Sequence, residues 1–131
     1  MTRRLFSAAA MLLLAGMPAL VQAGGSGEVR LRTQLTGARI DRLTPSGQAD
    51  FRARSGRADL KVEVEDVNVP VGTVLDVYVD NAKVGTITVA AVTLGGELDL
   101  NTQDGAVVPK VGKGSVVVVK NGEQGIVAGV F

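Results

Sequence analysis

The side chains able to do chemistry in this chain are carboxylates and little else. The sequence contains no His and no Cys. That removes the usual base for a nucleophilic Ser or Thr, the thiolate nucleophile, and the imidazole and sulfur ligands of transition metals. What remains are acids at period-two spacing: Glu63 with Glu65, and Glu97 with Asp99, with Asp76 lying between the pairs in sequence. Residues two apart on a strand share a face, so each pair projects from one side of its strand. A carboxylate-dependent hydrolase would need two such groups facing each other across a cleft, about 5–10 Å apart, together with aromatic platforms for sugar rings. Aromatics are scarce: three Phe, one Tyr and no Trp. Solvated acidic faces that contact a partner fit these residues better. No catalytic residue, cofactor or metal ligand is therefore assigned, and the candidate binding face is Glu63, Glu65, Asp76, Glu97 and Asp99.

Two weaker constellations were weighed. Lys113 and Ser115 have the spacing of a Ser–Lys pair on one strand face, but they sit at a Gly-rich turn. Asp99 to Gly105 resembles an oxygen-rich calcium loop, yet Gly105 falls one position late for the EF-hand turn and position 110 is Lys where the distal bidentate Glu belongs. A turn capped by Asp104 is the simpler expectation.

The elements that must position these acids lie beyond a leader. Arg3 and Arg4 form a positive n-region, Phe6 to Leu20 an apolar run, and Val21-Gln22-Ala23 a small-residue cleavage site. Residues 1–23 thus read as a signal peptide of bacterial style, and Arg3-Arg4 also resembles a twin-arginine signal. The apolar run is short and Ala-rich for a membrane span, so no stable span is expected after cleavage. Residues 24–131 then form one domain, exported to the periplasm or the exterior, and stabilised by a core rather than by disulfides. This remainder has a net charge of −1, with every Arg between Arg30 and Arg57 and nine of thirteen acids between Asp59 and Asp104. Near-neutrality and few aromatics give no support for nucleic-acid binding.

Val29, Leu31, Thr33 and Leu35 alternate with Arg30, Arg32 and Gln34, the signature of a strand with one wet face. A second strand is predicted at about 47–54, and Ser55-Gly56 turns it into a third at about 57–66. A two-residue loop there pairs Asp50 with Lys61, Phe51 with Leu60, Arg52 with Asp59 and Ala49 with Val62. Apolar pairs fall on one face and opposite charges on the other, and a one-residue slip would destroy both. Arg54 opposite Arg57 is the one discordant pair. A further hairpin, Thr73–Asp80 with Val84–Ala91, is predicted to turn at Asn81-Ala82-Lys83 and to pair Val77 with Ile87. A one-sided strand covers 97–102. The Val run at 115–120 reads as a strand buried on both faces or heavily covered, and a turn centred on Asn121-Gly122, with Lys120 opposite Glu123, leads into a last strand ending at Phe131. Gly72-Thr73-Val74-Leu75 lines up with Gly114-Ser115-Val116-Val117, which fits a duplicated hairpin and equally two hairpins alike in composition by chance.

Seven or eight short strands with no helical period predict an all-β fold, an immunoglobulin-like antiparallel sandwich first and a small barrel second. An outer-membrane barrel ending on Phe131 is disfavoured, because eight long transmembrane strands would consume the chain and no aromatic girdle is present.

Leu35-Thr36-Gly37, Pro45-Ser46-Gly47-Gln48-Ala49, Val62 to Val67, Gly72-Thr73-Val74-Leu75, Val84-Gly85-Thr86 and Gly129-Val130-Phe131 carry a resemblance to a group of small exported bacterial β proteins. More distantly the chain is similar to CHRD domains, the chordin-type β modules of secreted proteins, although it lacks the His that they commonly carry in a central strand. The resemblance implies an extracytoplasmic, all-β, non-enzymatic module. Its expected partner is a protein or a cell-surface polymer.

The predicted register makes Arg52 and Asp59 a cross-strand pair. Asp59→Arg should destabilise the hairpin, and adding Arg52→Asp should restore part of the loss. A double-mutant cycle by chemical denaturation should read about 0.2–1 kcal/mol of coupling, and zero coupling would disprove the register.

Overall fold

The computed structural model describes residues 27–131; the leader and its cleavage site lie outside the described residues. Eight strands follow one another: β1 (Val29–Thr36), β2 (Ser46–Arg54), β3 (Arg57–Glu65), β4 (Val74–Val79), β5 (Ala82–Thr88), β6 (Gly96–Asn101), β7 (Val116–Asn121) and β8 (Gln124–Val130). A 3-10 turn, Thr102–Asp104, follows β6. All strand pairs are antiparallel and belong to one sheet in the order β5-β4-β7-β8-β1-β2-β3-β6. Among the described residues no helix is long and apolar enough to cross a membrane.

The sheet curls until its two ends nearly meet. β5 and β6 share no ladder, but Ala90 N–H donates to the Gly95 carbonyl at 2.9 Å at the base of their connection. Beyond that bridge the strands are close enough that a Cβ on Gly85 would lie 2.7 Å from Leu98 Cδ2, and one on Gly96 would lie 2.8 Å from Ile87 Cγ2. Missing side chains on both sides of the seam allow this approach.

Alternation decides what goes inside. Leu35, Ala49, Phe51, Leu60, Val62, Val64, Leu75, Val77, Val79, Ile87, Val117, Val119 and Val127 point inward and form one buried cluster with Val67, Val89, Val111 and Ile126. Each fully buried Val, Leu or Ile contributes on the order of 1.5–3 kcal/mol. The connection through Pro109 runs over one end, where Val111 is buried and Val108 packs on the core. Phe131 also packs against the core.

The β2–β3 hairpin has the predicted register throughout. Ser55 (φ 48°) and Gly56 (φ 79°) make its two-residue turn, the pattern of a type I′ connection. The β4–β5 hairpin differs from expectation by two residues: Leu75 pairs with Ile87 and Val77 with Gly85. Asp80 (φ 50°) and Asn81 (φ 72°), not a three-residue loop, make the turn. Asp and Asn tolerate that conformation, and a bulge after Val77 absorbs the extra residue on β5. The Asp80 carboxylate then accepts from Val116 N–H at 2.9 Å, fastening the turn to β7. At the β7–β8 turn Asn121 pairs with Gln124, so Gly122 and Glu123 are central, one residue later than predicted. β7 is also not buried on both faces: Val117 and Val119 point inward, while Val116 is 38% exposed. Its Val content matches pleated-sheet preference, and on its outer side Val116 is exposed and Val118 half-buried.

The suggested repeat is a structural one. Positions 42 residues apart are equivalent in the β4–β5 and β7–β8 hairpins. Gly72 and Gly114 both have φ 94°. Gly72 N–H donates to the Val89 carbonyl, and Gly114 N–H to that of Phe131, each at 2.8 Å. The bulge falls after Val77 in one hairpin and after Val119 in the other. Val77 and Val119 are themselves partners in the β4–β7 ladder. The two hairpins are thus related by a local pseudo-two-fold axis through that pair.

Gly122 has φ 63° at the first central position of its turn. Gly122→Val should cost more than about 1 kcal/mol, because a β-branched residue is strained there. An unchanged thermal midpoint would contradict this turn.

Candidate functional site

The polar outer face of β1, β2, β3 and β6 is organised by the same register that fills the core. Side chains opposite one another fall into rows that cross the four strands. One row is Arg30, Arg52, Asp59, Asn101; the next is Arg32, Asp50, Lys61, Asp99; the third is Gln34, Gln48, Glu63, Glu97. Thr36, Ser46 and Glu65 begin a fourth. The face therefore runs from a cationic end near the β2–β3 turn, through a row of alternating sign, to an amide and acidic end.

Four of the five sequence-selected acids meet at that acidic end. Glu63 and Glu97 are direct cross-strand partners, Asp99 is opposite Lys61, and Glu65 extends the β3 face. The Lys61 ammonium sits 3.8 Å from Glu97. Asp76 does not join them. It lies on β4, with β5 between it and β6, and its carboxylate takes a hydrogen bond from Lys83 Nζ at 2.9 Å. That bond and the accompanying charge raise the Lys83 pKa above its ordinary value. Glu63, Glu65 and Glu97, but not Asp99, line an open trough of about 370 Å³ with Gln34, Ser46, Gln48 and Thr93. Glu63, Glu65, Glu97 and Asp99 are all exposed.

The middle row carries the strongest contact of the face. Arg32 Nε donates to Asp50 Oδ1 at 2.5 Å, and Gln48 Nε2 donates to Oδ2 at 2.8 Å. Partial burial opposes ionisation of Asp50, but these two hydrogen bonds and the Arg32 and Lys61 charges outweigh it and lower its pKa from the ordinary 3.8.

The sequence shows a positive early segment, read first as cross-strand pairing and second as a patch for a partner, but it names no residue of this cationic end as a site. Arg30, Arg52, Arg54 and Arg57 all project from the outer side there. Arg52 lies 3.7 Å from Asp59 and 4.0 Å from Glu28, and Arg54 lies 3.7 Å from Glu28. The signal was present in the discordant Arg54–Arg57 pair, but it becomes a cluster only once β1 is placed beside β2.

Other sequence candidates have structural employment. Ser115 Oγ accepts from Gly112 N–H at 3.0 Å, closing the turn before β7. The Thr102–Asp104 turn is capped by Asn101, whose side chain accepts from Gln103 N–H at 2.9 Å, rather than by Asp104. Among the described residues no group of three or more acids is placed to hold a metal ion.

Comparison with protein-family models, curated proteins and solved structures found no match to this chain.

Asp50 yields a pH prediction with a definite sign. A carboxyl with a lowered folded pKa stabilises the fold above its unfolded value, and the contribution disappears as pH falls through the folded value. Wild type should exceed Asp50→Asn by about 0.2–1 kcal/mol at neutral pH. That difference should shrink to nothing as pH falls below 3.8 and through the lowered value, as read by urea denaturation at stepped pH.

Proposed function

We propose that this protein is a non-catalytic binding or scaffolding module that works outside the cytoplasm, after removal of residues 1–23. It contacts a protein or a cell-surface polymer through the outer face of β1, β2, β3 and β6. The observation that carries this reading is the placement of Glu63, Glu65, Glu97 and Asp99 as an exposed acidic end on one continuous, cross-strand polar face. The alternative, a carboxylate hydrolase, calls for a recess that holds at least one acid away from water, whereas the trough is open and its acids are solvated. Export rests on the leader motif. Kinship with CHRD-type modules rests on the turn and strand motifs, and the all-β architecture is compatible with it. For the architecture we favour the small barrel over an immunoglobulin-like sandwich, because one continuous ladder joins all eight strands and the seam glycines bring the last two edges together.

The test is a pull-down from native envelope with the mature protein and with the Glu63→Gln/Glu65→Gln/Glu97→Gln/Asp99→Asn variant. Specific retention that falls at least tenfold in the folded variant supports the reading. Equal retention of the two proteins, or turnover of an envelope polymer by the pure protein, overturns it.

A further inference from the structure

We infer that the cationic end of the same face is an anion-binding notch, and that its ligand is an acidic polysaccharide. The inference goes beyond the binding reading above, which rests on the opposite end of the face.

The notch is built by three elements. The tight β2–β3 turn holds Arg54 and Arg57 directly opposite each other. Arg52 and Asp59 form the next pair down the ladder. The 3-10 turn after β6 supplies the far wall, with Asn101 and Gln103, and it is fastened to the hairpin because Ala58 N–H donates to Thr102 Oγ1 at 3.1 Å. Together Arg52, Arg54, Arg57, Asp59, Asn101 and Gln103 line a recess of about 230 Å³. A second recess of about 600 Å³ continues across β1 and β2, where Arg30, Arg32, Arg52 and Lys61 outnumber the two acids of its lining, Asp50 and Asp59.

Charge defines the ligand. Like charges directly opposite on neighbouring strands are destabilising. Among the described residues the acids with an ion pair to the notch arginines are Glu28, which reaches Arg52 and Arg54, and Asp59, which reaches Arg52. Arg57 and Arg30 have no acidic partner among the described residues, and Arg57 is exposed. An anion seated between Arg54 and Arg57 removes their repulsion. Guanidinium forks match the planar, two-oxygen edge of a carboxylate or sulfate. The Asn101 and Gln103 amides beside them can hydrogen-bond neighbouring hydroxyl groups.

The rest of the face selects among polyanions. The rows carry no aromatic side chain on which a nucleobase would stack. They also present no large apolar anchor of the kind that dominates protein–protein hot spots. A hydroxyl-rich chain bearing regularly spaced anions needs neither. Its path is across the strands: cross-strand neighbours repeat at about 4.8 Å, and the acidic end repels it from running along them.

The test uses the mature protein and Arg54→Gln/Arg57→Gln. Both positions are exposed, and the substitutions remove a like-charge pair, so the variant should fold with an unchanged or higher melting midpoint. Binding is measured by isothermal titration at low ionic strength against polygalacturonate and dextran sulfate, with neutral dextran, single-stranded DNA and poly-glutamate as further arms. The expected result is salt-sensitive binding to both acidic polysaccharides, at least tenfold weaker in the variant, and none to neutral dextran. Arg54→Lys/Arg57→Lys should recover only part of it. Equal binding by wild type and the Gln variant, no binding to either acidic polysaccharide, or tighter binding to DNA or poly-glutamate would overturn the inference. The Glu63→Gln/Glu65→Gln/Glu97→Gln/Asp99→Asn variant should bind both polysaccharides at least as well as wild type, so failure of the envelope-binding reading and failure of this one are told apart.

Discussion

The antiparallel ladder, with its period of two, is the constraint on which the rest depends. With no disulfide available, the chain must hold itself by one apolar interior, and every strand must send one alternating set of apolar residues to the same side. The same alternation forces the intervening side chains outward and sets them opposite specific neighbours. Core and charged face are therefore two consequences of one register. A slip of one residue in β2–β3 would expose Phe51 and Leu60 and bury Arg52 and Asp59, which is why the register is so strongly specified.

The sheet divides its labour between two halves. The β4–β5 and β7–β8 hairpins repeat each other and pair about the Val77–Val119 centre, giving a Val-rich half with matched bulges and matched entry turns. The β1–β2–β3–β6 half carries the ordered rows of charge. Closure is left to glycine: Gly85 and Gly96 allow β5 and β6 to approach where a side chain on either would intervene.

The electrostatics of the charged half are those of an exposed surface. Arg32–Asp50 is well made, whereas the other ion pairs on this half are longer and water-screened. Their importance lies in pattern rather than in stability. Pairing of opposite charges accounts for the middle row, and it fails at both ends, where Glu63 faces Glu97 and Arg54 faces Arg57. Repulsion tolerated at an exposed position costs little stability and leaves an unbalanced field available to a partner of opposite sign.

Much of this was legible in the residues themselves. Alternation at Val29–Leu35, the Ser55-Gly56 turn and the charge pairing of Asp50 with Lys61 define β1, β2, β3 and their faces from local information, because period and turn chemistry act within a hairpin. The 42-residue repeat was visible too, through its paired Gly-Thr and Gly-Ser entries. The turns at Asp80-Asn81 and Gly122-Glu123 were less legible, since a bulge can absorb one residue and shift a register without changing which face is apolar. The Val run of β7 reads as doubly buried or heavily covered by composition, yet only the tertiary structure reveals that Val116 on its outer side is exposed. The site depended most on tertiary structure. Period two places Glu63 with Glu65 and Glu97 with Asp99, but joining the pairs requires β6 to lie against β3, and gathering the arginines requires β1 to lie against β2. Those are contacts between segments distant in the chain, decided by how one apolar interior is shared among eight strands.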